Sequence, residues 1–148
     1  MQRREILERA AEKVAAWNRG DADAVVADAL DDLLWRDIAF PMPLAGPEAL
    51  KTALLGYRAA FPDMHVEITS QTLNGDRLVQ EWTATGTHRG ELMGIAPTGR
   101  ATKIYGVTVS VFDDEGHLIE GSTYWNPLVM MHQLGVVMPP RERVATSS

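Results

Sequence analysis

Four long β-type segments follow one another between Met64 and Trp125, and no other feature constrains the fold as tightly. Met64 to Leu73 alternates through Met64, Val66 and Ile68, and Asn74-Gly75-Asp76 then supplies a tight hairpin turn. Arg77 to His88 forms the partner, carrying Leu78, Val79 and Trp82, then Thr83, Thr85 and Thr87. Residues 89–100 hold three Gly and one Pro and read as a loop. Ala101 to Phe112 is a third long strand, Asp113 to His117 a turn, and Leu118 to Trp125 the last strand.

Helical periodicity fills the other half of the chain. Ile6, Leu7, Ala10, Ala11, Val14 and Trp17 form one stripe, with Arg, Glu and Lys opposite and Gly20 as the stop. Trp17 reads as a core anchor or a ligand contact. Asp21 or Asp23 caps a second, shorter helix whose apolar side holds Val25, Val26, Ala29 and Leu30. Leu33 to Phe40 is a first strand ended by Pro41 and Pro43. Its default register buries Leu34, Ile38 and Phe40 and leaves Asp37 in solvent; the opposite one turns Trp35, Asp37 and Ala39 inward. Gly46-Pro47-Glu48 opens a third helix, with Leu50, Ala53, Leu54 and Tyr57 on one face and Pro62 beyond its end. Helices first, then an antiparallel meander and a closing helix, make an α+β fold. A curved sheet wrapped by those helices would be a cone around one hydrophobic pocket. The expected domain spans residues 1–138, with 139–148 a flexible tail.

The stretch Ile119 to Gly135 runs a strand straight into the closing helix. Asn126 precedes Pro127, so Asn126 is either its N-cap or a polar group on the floor of a pocket. Leu128, Met131 and Leu134 recur at helical spacing, and Gly135 is the C-terminal stop.

Composition excludes several classes of function. The chain has 148 residues and no Cys, so disulfides, thiolate metal sites and a cysteine nucleophile are out. The four His show no metal-ligand spacing, and no phosphate-binding loop or G-x-S-x-G elbow occurs. No metal or cofactor is expected. A net charge of −6 with dispersed basic residues argues against nucleic acid, and the short apolar runs against a membrane. The N-terminus lacks the apolar core of a signal peptide, and the expected compartment is the cytoplasm.

The remaining chemistry lies in polar groups on the strands. His88, at a strand end beside the Gly-rich loop, is the best titratable candidate, with a structural role as the alternative. Trp82, Ala84, Gly86 and His88 share one face, where the small residues leave room for a ligand or let the sheet bend. Tyr57, Tyr105 and Tyr124 are candidate proton donors or amphipathic core residues. Met93 and Ile95 form an apolar lid or an ordinary hairpin connection.

Three segments resemble a known family. Gly86-Thr87-His88-Arg89-Gly90 through Ala96-Pro97-Thr98-Gly99-Arg100 is similar to the GTHxGxxxGxxPTGR loop of SnoaL-like polyketide cyclases. Tyr124-Trp125-Asn126 through Gln133-Leu134-Gly135 resembles their strand-to-helix end, and Arg58 to Asp63 the end of their third helix. The resemblance runs from about residue 3 to 135 and implies the nuclear transport factor two-like α+β cone. It implies a homodimer, a deep hydrophobic pocket and no metal or redox cofactor.

Members of that family close an anthracycline ring by intramolecular aldol condensation, using an acidic residue as acid/base. Counted back from Gln133-Leu134-Gly135, that acid falls on Asn126, a second family histidine falls near Thr108, and His88 is retained. An amide hydrogen-bonds but does not take up the proton. Either His88 or Asp37 is then the base, or closure needs none: a pericyclic or epoxide-type reaction of a folded polyketide. Holding the reacting ends together contributes up to about 7–11 kcal/mol. Asn126, a Tyr or Trp125 would then polarise a carbonyl. The expected catalytic residues are Asn126, His88 and Asp37; the expected substrate contacts are Trp35, Tyr57, Trp82, Met93, Tyr105, Tyr124 and Trp125. A non-catalytic binding protein, or an accessory to a hydroxylation step, is the alternative.

Overall fold

The computed structural model describes residues 2–136, so the expected tail lies outside the described residues. The elements are helix α1 (Arg3–Asn18), helix α2 (Ala22–Val26), strand β1 (Ala29–Asp37), strand β2 (Leu44–Ala45), helix α3 (Pro47–Ala60), strands β3 (His65–Asn74), β4 (Arg77–Thr87), β5 (Ala101–Phe112) and β6 (Leu118–Trp125), and helix α4 (Pro127–Leu134). One sheet of six strands runs in the order β2-β1-β6-β5-β4-β3. The expected meander is β3 to β6, each strand antiparallel to the next. β1 instead joins β6 in parallel, since the helices and the whole meander separate the two in sequence.

This pairing corrects two sequence readings. Ala29 pairs with Leu118, so Ala29 and Leu30 belong to β1 and α2 stops at Val26. The strand also turns Leu33, Trp35 and Asp37 toward the helices, while Ile38 is 56% exposed. Period two and a buried Leu33 leave Asp37 no choice of side.

Local signals act as expected elsewhere. Asp21 Oδ1 accepts from the Ala24 amide at 3.1 Å and caps α2. Asn126 Oδ1 accepts from the Leu128 amide at 3.0 Å and caps α4, which Gly135 ends at φ 74°. The buried stripe of α4 is Met130 and Leu134, and Leu128 is exposed: the helix is set by its contact with β5, not by its own periodicity.

Polar pins hold α1 over the sheet. The Asn18 amide nitrogen donates to Val66 O at 2.9 Å, and its oxygen accepts from Val66 N at 2.8 Å. Arg58 Nη1 donates to Trp17 O and Met64 O, and Nη2 to Asn18 O. One apolar cluster gathers Ile6, Ala10, Leu33, Leu50, Leu78, Phe112 and Leu118; another gathers Phe61, Leu92, Ile104, Met130 and Leu134. The concave face of the sheet between them is not filled.

Candidate active site

A cavity of about 250 Å³ lies between that concave face and the helices, lined mostly by apolar side chains. Strand register sorts its sheet wall into rungs. Ile68, Trp82, Gly106 and Trp125 are cross-strand neighbours, as are Leu73, Leu78, Ser110, Gly121 and Trp35. Between them runs Gln71, Gln80, Thr108, Thr123 and Asp37, a polar row through an apolar surface. The rungs on either side owe their shape to glycine. A Cβ at Gly106 would collide with the Trp82 ring, and one at Gly121 with the Trp35 ring. Each indole lies over the bare backbone of the next strand and flattens the wall.

Asp37 terminates the polar row and is 8% exposed. Its Oδ1 accepts from the Ala39 amide and from Trp125 Nε1, both at 2.9 Å. Its Oδ2 accepts from the Tyr57 hydroxyl at 2.8 Å. Oδ1 is thereby saturated, and Oδ2 keeps one lone pair. Burial, reinforced by the Asp37 charge, pushes the Tyr57 phenol far above its usual range. Tyr57 is therefore a permanent donor.

Farther along the row, Trp82 Nε1 donates to Thr108 Oγ1 at 2.9 Å, and Thr108 Oγ1 lies 3.1 Å from Thr123 Oγ1. Two hydroxyls share one bond, so one O–H remains for a ligand whichever donates. Asp37 is the only carboxylate among the described residues of the lining. No cluster of His, Cys, Asp and Glu suited to a metal occurs among the described residues.

Of the expected site residues, the fold brings Trp35, Asp37, Tyr57, Trp82 and Trp125 together at this cavity. The others lie off its wall. Asn126 is exposed, one residue past the end of β6, with its side-chain oxygen engaged as the cap. Tyr105 and Tyr124, 67% and 51% exposed, occupy the convex face, one step out of phase with Gly106 and Trp125. Met93, at φ 49°, is on the exposed tip of the Leu92–Ile95 turn.

His88 is wholly buried, but in the scaffold. Its Nδ1 accepts from the Thr98 amide at 3.1 Å, so Nε2 carries the proton. The ring packs on Phe61 at 5.5 Å between centroids, and Nε2 has no hydrogen-bond partner among the described residues. The amides of Arg89 and Gly90 donate to Ala60 O, and His88 N to Arg100 O. Together these bonds close the Gly-rich loop onto α3.

Sequence reasoning missed Lys13, Gln80 and Thr123 as parts of the wall, and reached Thr108 only through the resemblance, as the place of a family histidine. Periodicity in β4, β5 and β6 put each strand residue on a face, but only the register aligns Gln80, Thr108 and Thr123 with Asp37.

A curved mixed sheet with helices across its concave face is the nuclear transport factor two-like α+β cone. The SnoaL-like polyketide cyclase family model matches residues 8–134, and the chain belongs to that family. No curated protein matches it. Among solved structures it is similar to AclR from Streptomyces galilaeus, a proposed hydroxylase: 27% identity, TM-score 0.83, covering 95% of this chain and 87% of that one. IdmH from Streptomyces antibioticus, a proposed polyketide cyclase, gives 26% identity and TM-score 0.74 over 88% and 98% of the two chains. A proposed SnoaL-like polyketide cyclase from Jannaschia, at 21% identity and TM-score 0.78 over 92% of each, shows the shared fold.

Proposed function

We propose that the protein is a cofactor-free cyclase or isomerase that folds a largely apolar polyketide-like substrate in this cavity, as a homodimer in the cytoplasm, within antibiotic biosynthesis. The observation that carries the reading is Asp37: a carboxylate in an apolar wall, held by Tyr57 and Trp125, with one lone pair of Oδ2 open. This moves the acid/base role from Asn126 to Asp37. Oδ2 takes a proton from a carbon flanked by carbonyls, and the enolate spreads its charge over the substrate. That carbon then attacks a second carbonyl, closing the ring, and the new alkoxide takes the proton back from Asp37. The O–H left over from Thr108 and Thr123 stabilises an oxygen on which charge develops. The family supports the substrate class, and the exposed Tyr105 and Tyr124 on the convex face supply an apolar patch suited to a second copy.

The test is mass spectrometry of the purified protein with linear polyketide intermediates. The expected product has unchanged mass and a new retention time. Asp37→Asn is expected to slow its formation by about 10²–10⁴-fold while the protein still melts cooperatively. An Asp37→Asn variant with full turnover overturns the assignment. The likeness to AclR favours a second reading, an accessory role in a hydroxylation step; an intermediate that binds but returns unchanged would support it.

A further inference from the structure

Lys13 does not lie on the polar side of α1. It shares the inner stripe with Ala10, Val14 and Trp17 and contributes to the cavity wall. Its Nζ is 2.8 Å from Asp28 Oδ1, with the two side chains only 19% and 16% exposed. The same Nζ sits 5.0 Å over the centre of the Phe112 ring. Neither Asp28 carboxylate oxygen has a hydrogen-bond partner of regular geometry among the described residues, so the ammonium meets Oδ1 as an ion pair. Asp28 is itself anchored, because its backbone oxygen accepts from the Leu118 amide at 3.0 Å.

A buried ion pair is a poor device for stability alone. Desolvating both charges offsets much of their attraction, and an apolar pair of equal volume is often as stable. Here the cation is presented to a mostly apolar cavity, with Asp28 against one side of an ammonium that carries three donors. Phe112, under the Lys13 ammonium, lies four residues along β5 from Thr108, about 13 Å from the polar row at a strand's rise per residue. The cavity therefore has two polar poles, and the wall between them carries Leu78, Trp35 and the single hydroxyl of Ser110.

We propose that Lys13 is a specificity-determining residue: its ammonium donates to an uncharged oxygen, a ketone or hydroxyl, at the far end of a flat polycyclic ligand whose near end meets Asp37. An uncharged oxygen fits because Asp28 already balances the lysine, and an added carboxylate would leave a net buried negative charge. The proposal rests on the cavity being the substrate site and deepens that reading by naming where a second substrate oxygen lies.

The experiment compares two flat probes by calorimetry at about pH 6, where phenols stay protonated. One is anthraflavic acid, a three-ring quinone with a hydroxyl at each long end. The other is its counterpart lacking one of those hydroxyls. In the unaltered protein the two-ended probe is expected to bind about tenfold tighter, as a hydrogen bond to a charged group provides. In the Lys13→Met/Asp28→Asn double variant, which leaves no unpaired buried charge, that ratio is expected to fall to about one. Equal binding of both probes to the unaltered protein overturns the role of Lys13, whether or not the variant folds. A ratio that survives in the folded double variant overturns it equally. Binding of neither probe overturns the cavity as substrate site, and so distinguishes failure of the earlier reading from failure of this one.

Discussion

Two carboxylates serve the same cavity by opposite means. Asp37 is surrounded by neutral donors, from a backbone amide, an indole and a phenol, and keeps one lone pair of Oδ2 unbonded at the cavity wall. Asp28 is matched by a full positive charge and stands behind Lys13, which faces the cavity in its place. Dipoles hold a carboxylate in position and leave it able to exchange a proton. A cation quenches it, and the chemistry passes to the cation's spare donors. The first arrangement suits acid/base work; the second suits recognition.

The largest expected break of this comparison is Lys13→Ala. It strands the Asp28 carboxylate in a buried site, and a loss of about 3–5 kcal/mol in urea unfolding is expected. The double variant Lys13→Met/Asp28→Asn should recover most of that loss. Tyr57→Phe is the milder counterpart at the other pole. Asp37 keeps its bonds from Ala39 and Trp125, and a loss of about 1.5–3 kcal/mol, that of a hydrogen bond to a charged group, is expected in the same measurement. If Tyr57→Phe costs as much as Lys13→Ala, the distinction between dipolar and ionic support fails.

The smallest effect sharpens the contrast through pH. Burial is the main cause holding the Lys13 ammonium below its ordinary 10.5. Between its lowered value and 10.5 the unfolded chain binds the proton more than the native one, so Lys13 makes stability rise with pH. Tyr57 acts in the other direction. Its raised value means that above about pH 10 the native state keeps a proton the unfolded chain has released, so stability falls. Chemical unfolding across the alkaline range should show the rise abolished in Lys13→Met/Asp28→Asn and the fall abolished in Tyr57→Phe.

Much of the frame was legible in the chain. Asn74-Gly75-Asp76, Asp21, Asn126 and Gly135 act through bonds within a few residues of themselves, and each sits where local rules place it. The bounds of β5 and β6 follow likewise from propensity and turn residues. The site was legible only in part. The rule that charge faces water sends Lys13 outward and makes an outward Asp37 the default register, with the inward register and a catalytic Asp37 as the alternative; both face inward. What overrides that rule lies far off in sequence: Trp125 and Tyr57 for Asp37, and Asp28 for Lys13. Tyr105 and Tyr124 went astray for a related reason. A one-residue step in a strand exchanges the two faces of the sheet, and the indoles of Trp82 and Trp125 decide which is concave.

The hydroxyl pair of Thr108 and Thr123 has one consequence for the course of a reaction. Trp82 anchors one end of the pair, yet the hydrogen between the two oxygens can point either way, 3.1 Å from one oxygen to the other. The wall thus behaves as a compass needle on a fixed pivot. In the proposed reaction it would offer a hydrogen to the carbonyl under attack and could swing to accept one from the hydroxyl that this carbonyl becomes, with no heavy atom moved. A substrate oxygen that changes from acceptor to donor during ring closure would meet a surface able to change with it.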